Sequence, residues 1–423
     1  MNEKLFFLFF PFLFFFINYI LISSTNSTLY FSFPTAIILQ DKNIFIIHKT
    51  GVSVCDPKLE IIKKNVIDFY DDKQISEADL STISISQFEN GFIVSIIKNK
   101  IFIFDNTGNY KTNSSLNTEN IAYYSLTTYK VEINSYYYFI AYIMNKKLHF
   151  LYYQYDLTNN NNNQLIKEEA YDRYLDYIYQ KTREVENKGI SCEFLKNRYY
   201  EDIITCLYTV YYSSSYHASI GYLYIESSSL YWKYDNAHFD GISLDFVRSS
   251  VTRDHSKALY CGYSNDGKPI CILIDLLDNF NYLNWYTYDR NCVKTNYGVK
   301  VKFHSEIEEF TFSCFLEGGG IQIGTYNKDL TYAEDEFYRF TDCDYIKGYS
   351  VLFSYNTMDY YILSDANCNN INFTFKRLFY YYEEGEEEEE EEREEVEKGE
   401  EGEDGEEDEE EEEEEEKEKG EEK

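Results

Sequence analysis

The chain has 423 residues and a formal net charge of −35, and 44% of its residues are hydrophobic. Residues 383–423 contain 30 Asp/Glu and 5 Lys/Arg, so they carry −25 of this charge and leave −10 for the first 382 residues. Phosphate contacts need clustered Lys and Arg, so this acidic composition argues against nucleic acid as a partner. The hydrophobic content is sufficient for a large core.

The N-terminus has the pattern of a secretory signal. An apolar run from Leu5 to Ile22 follows a short polar start, and Ser23, Ser24 and Thr25 come next. We therefore predict that residues 1–24 are a signal peptide and that the protein is secreted or displayed at the cell surface. An uncleaved signal anchor is the alternative, because 18 mostly apolar residues nearly span a bilayer. The membrane is a partner only in that case.

Nine cysteines occur, and none of them lies in a Cys-x-x-Cys pair, so the sequence predicts no metal site and no cofactor. An oxidising compartment favours disulfides instead. Two cysteine pairs each flank a turn signal, and such pairs would lie across a hairpin. The predicted pairings are Cys192 with Cys206, Cys261 with Cys271, Cys292 with Cys314, and Cys343 with Cys368; Cys55 is left free. Glycosylation acceptors of the Asn-x-Ser/Thr type occur at Asn26, Asn113 and Asn372.

The body is rich in strand-forming residues, with 45 Tyr and 32 Phe. A strand–turn–strand unit recurs along it, most clearly in residues 36–55 and 83–108. The seven turns lie near residues 42, 90, 146, 198, 266, 319 and 357, with a mean spacing of about 52 residues. This pattern resembles a β-propeller over residues 29–382, without a motif of any one propeller family. The resemblance implies an all-β fold of about seven four-stranded blades. Six blades, or two β-rich domains, are the alternatives.

One segment breaks the strand rhythm. Leu165, Ile166, Ala170, Tyr174, Leu175 and Ile178 recur at spacings of three and four, after a run of five Asn. This periodicity predicts a helical insertion near residues 164–187, which ends at Gly189.

The sequence contains no strong catalytic motif. Asp254-His255-Ser256 places three catalytic residue types side by side, and His238 lies near Asp235 and Asp240. Members of a catalytic triad normally come from separate elements, so surface loops are the favoured interpretation. Ser264-Asn-Asp-Gly267 is similar to the Asp-box turn of sialidase propellers, but its Gly directly follows the Asp. We therefore predict no catalytic residues.

These features favour a non-enzymatic binding protein that presents propeller loops to a protein or glycan partner. Tyrosine clusters at 136–138, 208–212 and 380–382 would suit such a surface, or would pack between sheets. The tail, residues 383–423, is predicted to be disordered and to attract basic surfaces or bind Ca²⁺ weakly; a purely solubilising role is the alternative. The alternative function is a glycoside hydrolase of the sialidase-like class, with paired carboxylates in the central funnel.

Overall fold

The computed structural model describes residues 35–379, with gaps at 49–50, 58–59, 66–82, 117, 119–120, 122, 159–161, 172–173, 177–180, 197–201, 213, 227–228, 240–241, 276–281, 288–291, 295–298, 306, 317–320, 329–332, 339–342, 355–358 and 369–370. Every helix or strand assigned within these residues is a β-strand. The predicted signal peptide (1–24) and acidic tail (383–423) lie outside the described residues. None of the described residues belongs to a helix with the length and hydropathy needed to cross a membrane.

Seven antiparallel sheets follow one another in chain order. The first sheet contains β1 (Thr35–Ile38), β2 (Ile44–His48), β3 (Gly51–Cys55) and β4 (Ile61–Asn65); the second contains β5 (Ser84–Gln87), β6 (Ile93–Ile97), β7 (Lys100–Phe104) and β8 (Tyr110–Ser115); the third contains β9 (Ser125–Glu132), β10 (Ser135–Met144), β11 (Lys147–Asp156) and β12 (Asn162–Tyr171). The fourth contains β13 (Tyr174–Asp176), β14 (Lys181–Lys196), β15 (Asp202–Tyr212), β16 (Ser215–Glu226) and β17 (Ser229–Phe239); the fifth contains β18 (Asp245–Val251), β19 (Lys257–Tyr263), β20 (Pro269–Asp275) and β21 (Tyr282–Thr287). The sixth contains β22 (Val299–His304), β23 (Glu309–Phe315), β24 (Ile321–Asn327) and β25 (Ala333–Tyr338); the seventh contains β26 (Cys343–Ser354), β27 (Asp359–Cys368) and β28 (Ile371–Phe379).

The sheets form a ring because each one buries apolar residues against the next. Phe45 and Val54 of the first sheet share a core with Ile93 and Phe104 of the second. Similar clusters join the second sheet to the third, the third to the fourth, the fourth to the fifth, and the fifth to the sixth. Strand β22 contacts β26, and Leu352 on β26 packs against the first sheet. The all-β, propeller-like prediction is therefore confirmed.

The sheets differ in detail from uniform four-stranded blades. Six of them have four or five strands, and the seventh has three among the described residues. Each of the seven turns that the sequence predicts lies between two consecutive strands of one sheet, and each sheet contains one of these turns. The strand-forming repeats of the sequence therefore correspond to separate sheets.

Many aromatic side chains lie between sheets. Phe45 and Phe104 meet edge to face at 5.0 Å across the first and second sheets, and Tyr129 stacks on Phe194 at 4.3 Å across the third and fourth. Tyr260 is fully buried, and its hydroxyl donates to the carbonyl of Thr205 at 2.8 Å. Tyrosine can fill such an interface because its ring packs while its hydroxyl keeps a hydrogen bond.

The helical insertion predicted near residues 164–187 is wrong. Residues 162–171 form β12, which pairs antiparallel with β11, and residues 181–196 form β14. Strand β11 offers a row of backbone groups at its outer edge, and pairing with β12 satisfies them; this tertiary pairing overrides the weak local preference for helix. Leu165, which belongs to the predicted helical face, is exposed, and Ile166 packs on the core. Gly189 does not end a helix but lies at a register shift in β14.

Three disulfides occur in the described part of the chain. They join Cys192 to Cys206, Cys261 to Cys271, and Cys292 to Cys314. The first two link register partners of neighbouring strands, as expected for cysteines that flank a hairpin. Cys343 and Cys368 are register partners on β26 and β27. The structure does not describe their side chains, so their disulfide stays a prediction.

The turn between β7 and β8 shows how sequence controls sheet packing. The carboxylate of Asp105 accepts hydrogen bonds from the backbone N–H groups of Thr107 and Asn109, at 3.0 and 2.8 Å. Gly108 completes this turn with a φ of +77°, and a Cβ atom there would lie 2.9 Å from side-chain atoms of Phe45 and Val54. Gly108 therefore satisfies both the left-handed backbone and the close approach of the first sheet.

We expect Gly108→Ala to lower the free energy of unfolding by about 2–4 kcal/mol, because it combines backbone strain with overpacking. The matched control is Gly267→Ala, where φ is +88° but the nearest atom to a new Cβ lies 3.6 Å away. That control should lose only about 1 kcal/mol, since it carries the strain alone. Urea unfolding measures both. Equal losses would contradict the packing role of Gly108.

Cys55 supplies a second test. Its thiol is fully buried, and burial, followed by the nearby Asp56, raises its pKa to about 12. A buried, protonated thiol is a poor nucleophile. We expect iodoacetamide at pH 8 to leave Cys55 unmodified in the native protein and to alkylate it after unfolding in urea without reductant. Mass spectrometry of the peptides measures this and maps the disulfides in the same sample. Rapid native labelling of Cys55 would contradict its place in the core.

Candidate functional site

A cavity of about 570 Å³ lies where the inner strands of the sheets meet. Strands β1, β5, β9, β14, β18 and β22 all contribute lining residues, and Leu352 contributes from β26. The cavity is thus the central channel of the ring. Ligand sites in proteins are typically concave, of this size, and lined by a few convergent polar groups.

Strand β22 supplies most of the charge in this channel. Val299, Val301 and Phe303 pack against the core between the fifth and sixth sheets. Successive side chains of a strand point to opposite faces, so Lys300, Lys302 and His304 share the other face. All three line the channel. The alternation Val-Lys-Val-Lys-Phe-His therefore places two ammonium groups and an imidazole in one concave space.

Arg248 on β18 extends the cationic group. The centre of its guanidinium lies 3.6 Å from the centroid of the Tyr123 ring, and one of its N–H groups donates to the carbonyl of Val247 at 3.1 Å. The Tyr123 hydroxyl donates to the same carbonyl at 3.1 Å. The ring and the shared carbonyl thus hold the guanidinium in one orientation, and such stacking is favourable for Arg.

The charge on Arg248 affects Lys300. Burial, followed by the neighbouring guanidinium, lowers the pKa of Lys300 to about 7. Water still reaches part of the Lys300 side chain, but the channel wall surrounds it and offers the ammonium less solvation than bulk water does. Lys300 therefore changes its charge near neutral pH.

Glu193 on β14 is the acidic group of the channel. Ser249 Oγ donates to one of its carboxylate oxygens at 2.9 Å, and Thr127 Oγ1 donates to the other at 3.1 Å. Burial raises the pKa of Glu193 to about 7, although the two hydroxyls and Lys302 oppose this shift. The hydroxyls link the third, fourth and fifth sheets around one carboxyl group.

His304 is a neutral side chain at physiological pH. Burial, followed by Lys302, lowers its pKa to about 3. An imidazole that stays neutral adds no positive charge to the channel. The cationic groups of the lining are therefore Arg248, Lys300, Lys302 and, on the β1–β2 turn, Lys42.

The described channel lining contains one carboxylate, that of Glu193. Retaining and inverting glycosidases use two carboxyl groups that flank the scissile bond. Within the described residues no cluster of three or more His, Cys, Asp or Glu could hold a metal ion. The described geometry is thus that of a cationic pocket with a single titrating acid.

Two of the motifs that the sequence singled out lie in turns, and the third, His238 with Asp235, lies on β17; the described channel lining contains none of them. Asp254 accepts hydrogen bonds from the backbone and hydroxyl of Ser256 inside the β18–β19 turn, while a ring nitrogen of His255 lies 2.9 Å from the carbonyl of Phe194. The turn Ser264–Gly267 joins β19 to β20 and is held by hydrogen bonds between Ser264 and Lys268. In both turns the serine hydroxyl is hydrogen-bonded within the turn, and His255 contacts a backbone carbonyl.

The tyrosine clusters divide between core and surface. Tyr136, Tyr138 and Tyr208 are buried, whereas Tyr211 is exposed; residues 380–382 lie outside the described part. Sheet packing, the alternative interpretation, accounts for the buried tyrosines. Asn113, a predicted glycosylation acceptor, is exposed on β8. Asn372 lies on β28, and Asn26 lies outside the described residues.

The charged residues of the channel were not predicted from the sequence. Their signal was the alternation of Lys with apolar residues in Val299–His304, because a strand with one cationic face must direct that face to water or to a cavity. The repeats in the sequence mark the sheets, but they do not show which strand of each sheet is innermost. Only the ring shows that β22 is an inner strand.

Solved structures resemble this chain in fold. The BP39L lectin from Burkholderia pseudomallei matches with a TM-score of 0.50 at 6% identity, over 82% of this chain and 98% of that one. The Pan2 WD40 domain of Neurospora crassa gives a TM-score of 0.48 at 9% identity, over 83% of this chain and 90% of the other. No protein-family model and no curated protein matches the sequence. At these identities the likeness shows the fold alone: the chain is a β-propeller.

Glu193→Gln tests the electrostatics of the channel. The raised pKa means that the folded state binds the carboxyl proton more tightly, so this group's contribution to stability is full below about pH 4.5 and is lost as pH rises to about 7. We expect the variant to be more stable than wild type by about 1–2 kcal/mol at pH 8 and to lack this pH dependence. Thermal unfolding from pH 5 to 8 measures it.

The control for this variant is Glu308→Gln, because Glu308 is an exposed carboxylate that pairs with Lys328 outside the channel. It should change stability by less than about 1 kcal/mol. If Glu193→Gln instead loses stability at pH 8, the ionised carboxylate is a net stabilising group and its inferred environment is wrong.

Proposed function

We propose that the protein is a secreted or surface-displayed, non-enzymatic binding protein whose central channel receives part of a glycan or protein partner. The observation that carries this proposal is the channel itself: a concave space of about 570 Å³ with several convergent polar groups. The scaffold is compatible with carbohydrate, since a lectin has the same fold. Function still depends on the site and not on the fold.

Placement outside the cytosol rests on two features. Disulfides persist in oxidising compartments and are rare in the cytosol, and the described residues contain three. The predicted signal peptide at 1–24 would supply the route. In this setting the acidic tail, 383–423, attracts basic surfaces over a range that salt shortens.

The number of carboxylates in the described channel lining favours a binding function over hydrolysis. A glycosidase of the retaining or inverting type requires an acid and a second carboxylate, as nucleophile or base. Among the described lining residues Glu193 is alone, and its oxygens accept hydroxyl hydrogen bonds. The alternative of a glycoside hydrolase with paired carboxylates therefore has the weaker support.

The test uses the full secreted protein on a glycan array, together with fluorogenic glycosides in solution. We expect retention on a subset of glycans, at least tenfold weaker binding for Arg248→Gln, and no turnover. A control, Lys328→Gln, should bind as wild type does. Turnover that disappears in Glu193→Gln would establish the hydrolase instead. Glycan binding that is unaffected by Arg248→Gln would place the site outside the channel.

A variant that lacks residues 383–423 separates the tail from the channel. We expect it to keep glycan binding and to lose salt-sensitive adsorption to polylysine. Loss of glycan binding in this variant would show that the tail belongs to the binding site.

A further inference from the structure

We propose that the central channel contains an oxyanion site, formed by Arg248 on β18 and by Lys300 and Lys302 on β22, that binds the carboxylate or phosphate of an acidic sugar. This inference rests on the proposed function, because it names the ligand class of the same channel. It assigns the specificity of the site to charge.

Contact between β18 and β22 brings the cationic side chains together. Strands β18 and β22 contact one another, and the backbone N–H of Phe303 donates to Ser250 Oγ at 2.9 Å, which holds the two strands together. Arg248 and Lys300 lie close enough for the guanidinium to disfavour protonation of the ammonium. Three cationic side chains on two adjacent strands therefore line one concave space.

This arrangement of cations costs electrostatic free energy. Arg248 and Lys300 are only partly exposed, and their like charges repel one another in this setting, whereas Lys302 is exposed. The whole chain is strongly acidic, yet the described channel lining contains four Lys/Arg and one Glu. A bound anion would remove the repulsion, and costly charge clusters of this kind concentrate at functional sites.

The orientation of Arg248 and the size of the cavity define the shape of the ligand. The Tyr123 ring and the Val247 carbonyl orient the planar guanidinium of Arg248. Arg in a fixed orientation suits carboxylate and phosphate, whose oxygens match its fork of N–H groups. The cavity volume fits a small molecule or a terminal sugar and not a wide polymer. An acidic sugar satisfies both the charge and the volume.

The ionisable side chains that line the channel predict how binding varies with pH. They are Lys42, Tyr123, Tyr124, Glu193, Arg248, Lys300, Lys302 and His304. Lys300 and Glu193 both have a pKa of about 7, and an anion stabilises the protonated form of each. Binding should therefore take up protons, and the affinity should fall by about tenfold or more from pH 6 to pH 8.

The experiment is isothermal titration of the full secreted protein with four probes: glucuronate, glucose 6-phosphate, glucose and inorganic phosphate. We expect both acidic sugars to bind and glucose to show no heat of binding. Lys300→Met and Lys302→Met keep an unbranched side chain that is one atom shorter and remove its charge, and each should weaken binding at least tenfold. The control is Lys328→Met, a lysine that pairs with Glu308 outside the channel. Unchanged thermal unfolding shows that each variant is folded.

The outcomes separate the two proposals. Glucose binding as tightly as glucuronate would overturn the oxyanion site, and so would acidic-sugar binding that Lys300→Met and Lys302→Met leave unchanged. If inorganic phosphate is the only probe that binds, the channel is a simple anion site and the assignment of an acidic sugar as its ligand is overturned. If no probe binds but the glycan array shows channel-dependent retention, the oxyanion inference fails while the binding function stands. If the array is also negative, the glycan part of the proposed function fails as well.

Discussion

Closure of the ring is the constraint on which the rest of the structure depends. The first sheet packs Ala36, Ile44, Ile46 and Cys55 against Leu352 on β26, so the beginning and the end of the described fold bury one another. Without this contact the first sheet would expose Ala36, Ile44 and Ile46, and Leu352 would lose its apolar partners. Closure also brings the inner strands of the sheets around a common centre. The central channel is thus a consequence of apolar burial between sheets.

The character of that channel comes from strand alternation. A strand that packs one face on a neighbouring sheet presents the other face to the space beside it. In β22 the packed face carries Val299, Val301 and Phe303, and the opposite face carries Lys300 and Lys302. The same packing that stabilises the sixth sheet therefore orients the cations. Glu193 and its hydroxyl partners then join three sheets around the same space, which couples the charge of the channel to the packing of the ring.

Several features followed from local patterns, and one did not. Cys192 and Cys206 flank a turn, as do Cys261 and Cys271, so a hairpin brings each pair together. The hairpin turns were predictable for the same reason, since turn residues act locally. The prediction of a helix over residues 164–171 was wrong, because their apolar periodicity does not report the free backbone edge of the preceding strand β11, with which they pair. Local propensity loses to backbone pairing when a strand edge is available.

By itself, the sequence determined the all-β class, the repeat of short strands, the cysteine pairs within hairpins and the separation of an acidic tail from an ordinary body. All of these depend on composition or on neighbours within a few tens of residues. The tertiary structure alone decided which strands line the channel, and so which charges meet. Arg248, Lys300 and Glu193 lie on three strands separated by as many as 107 residues, and only ring closure brings them together. Charge convergence of this kind depends on long-range packing, and no local pattern encodes it.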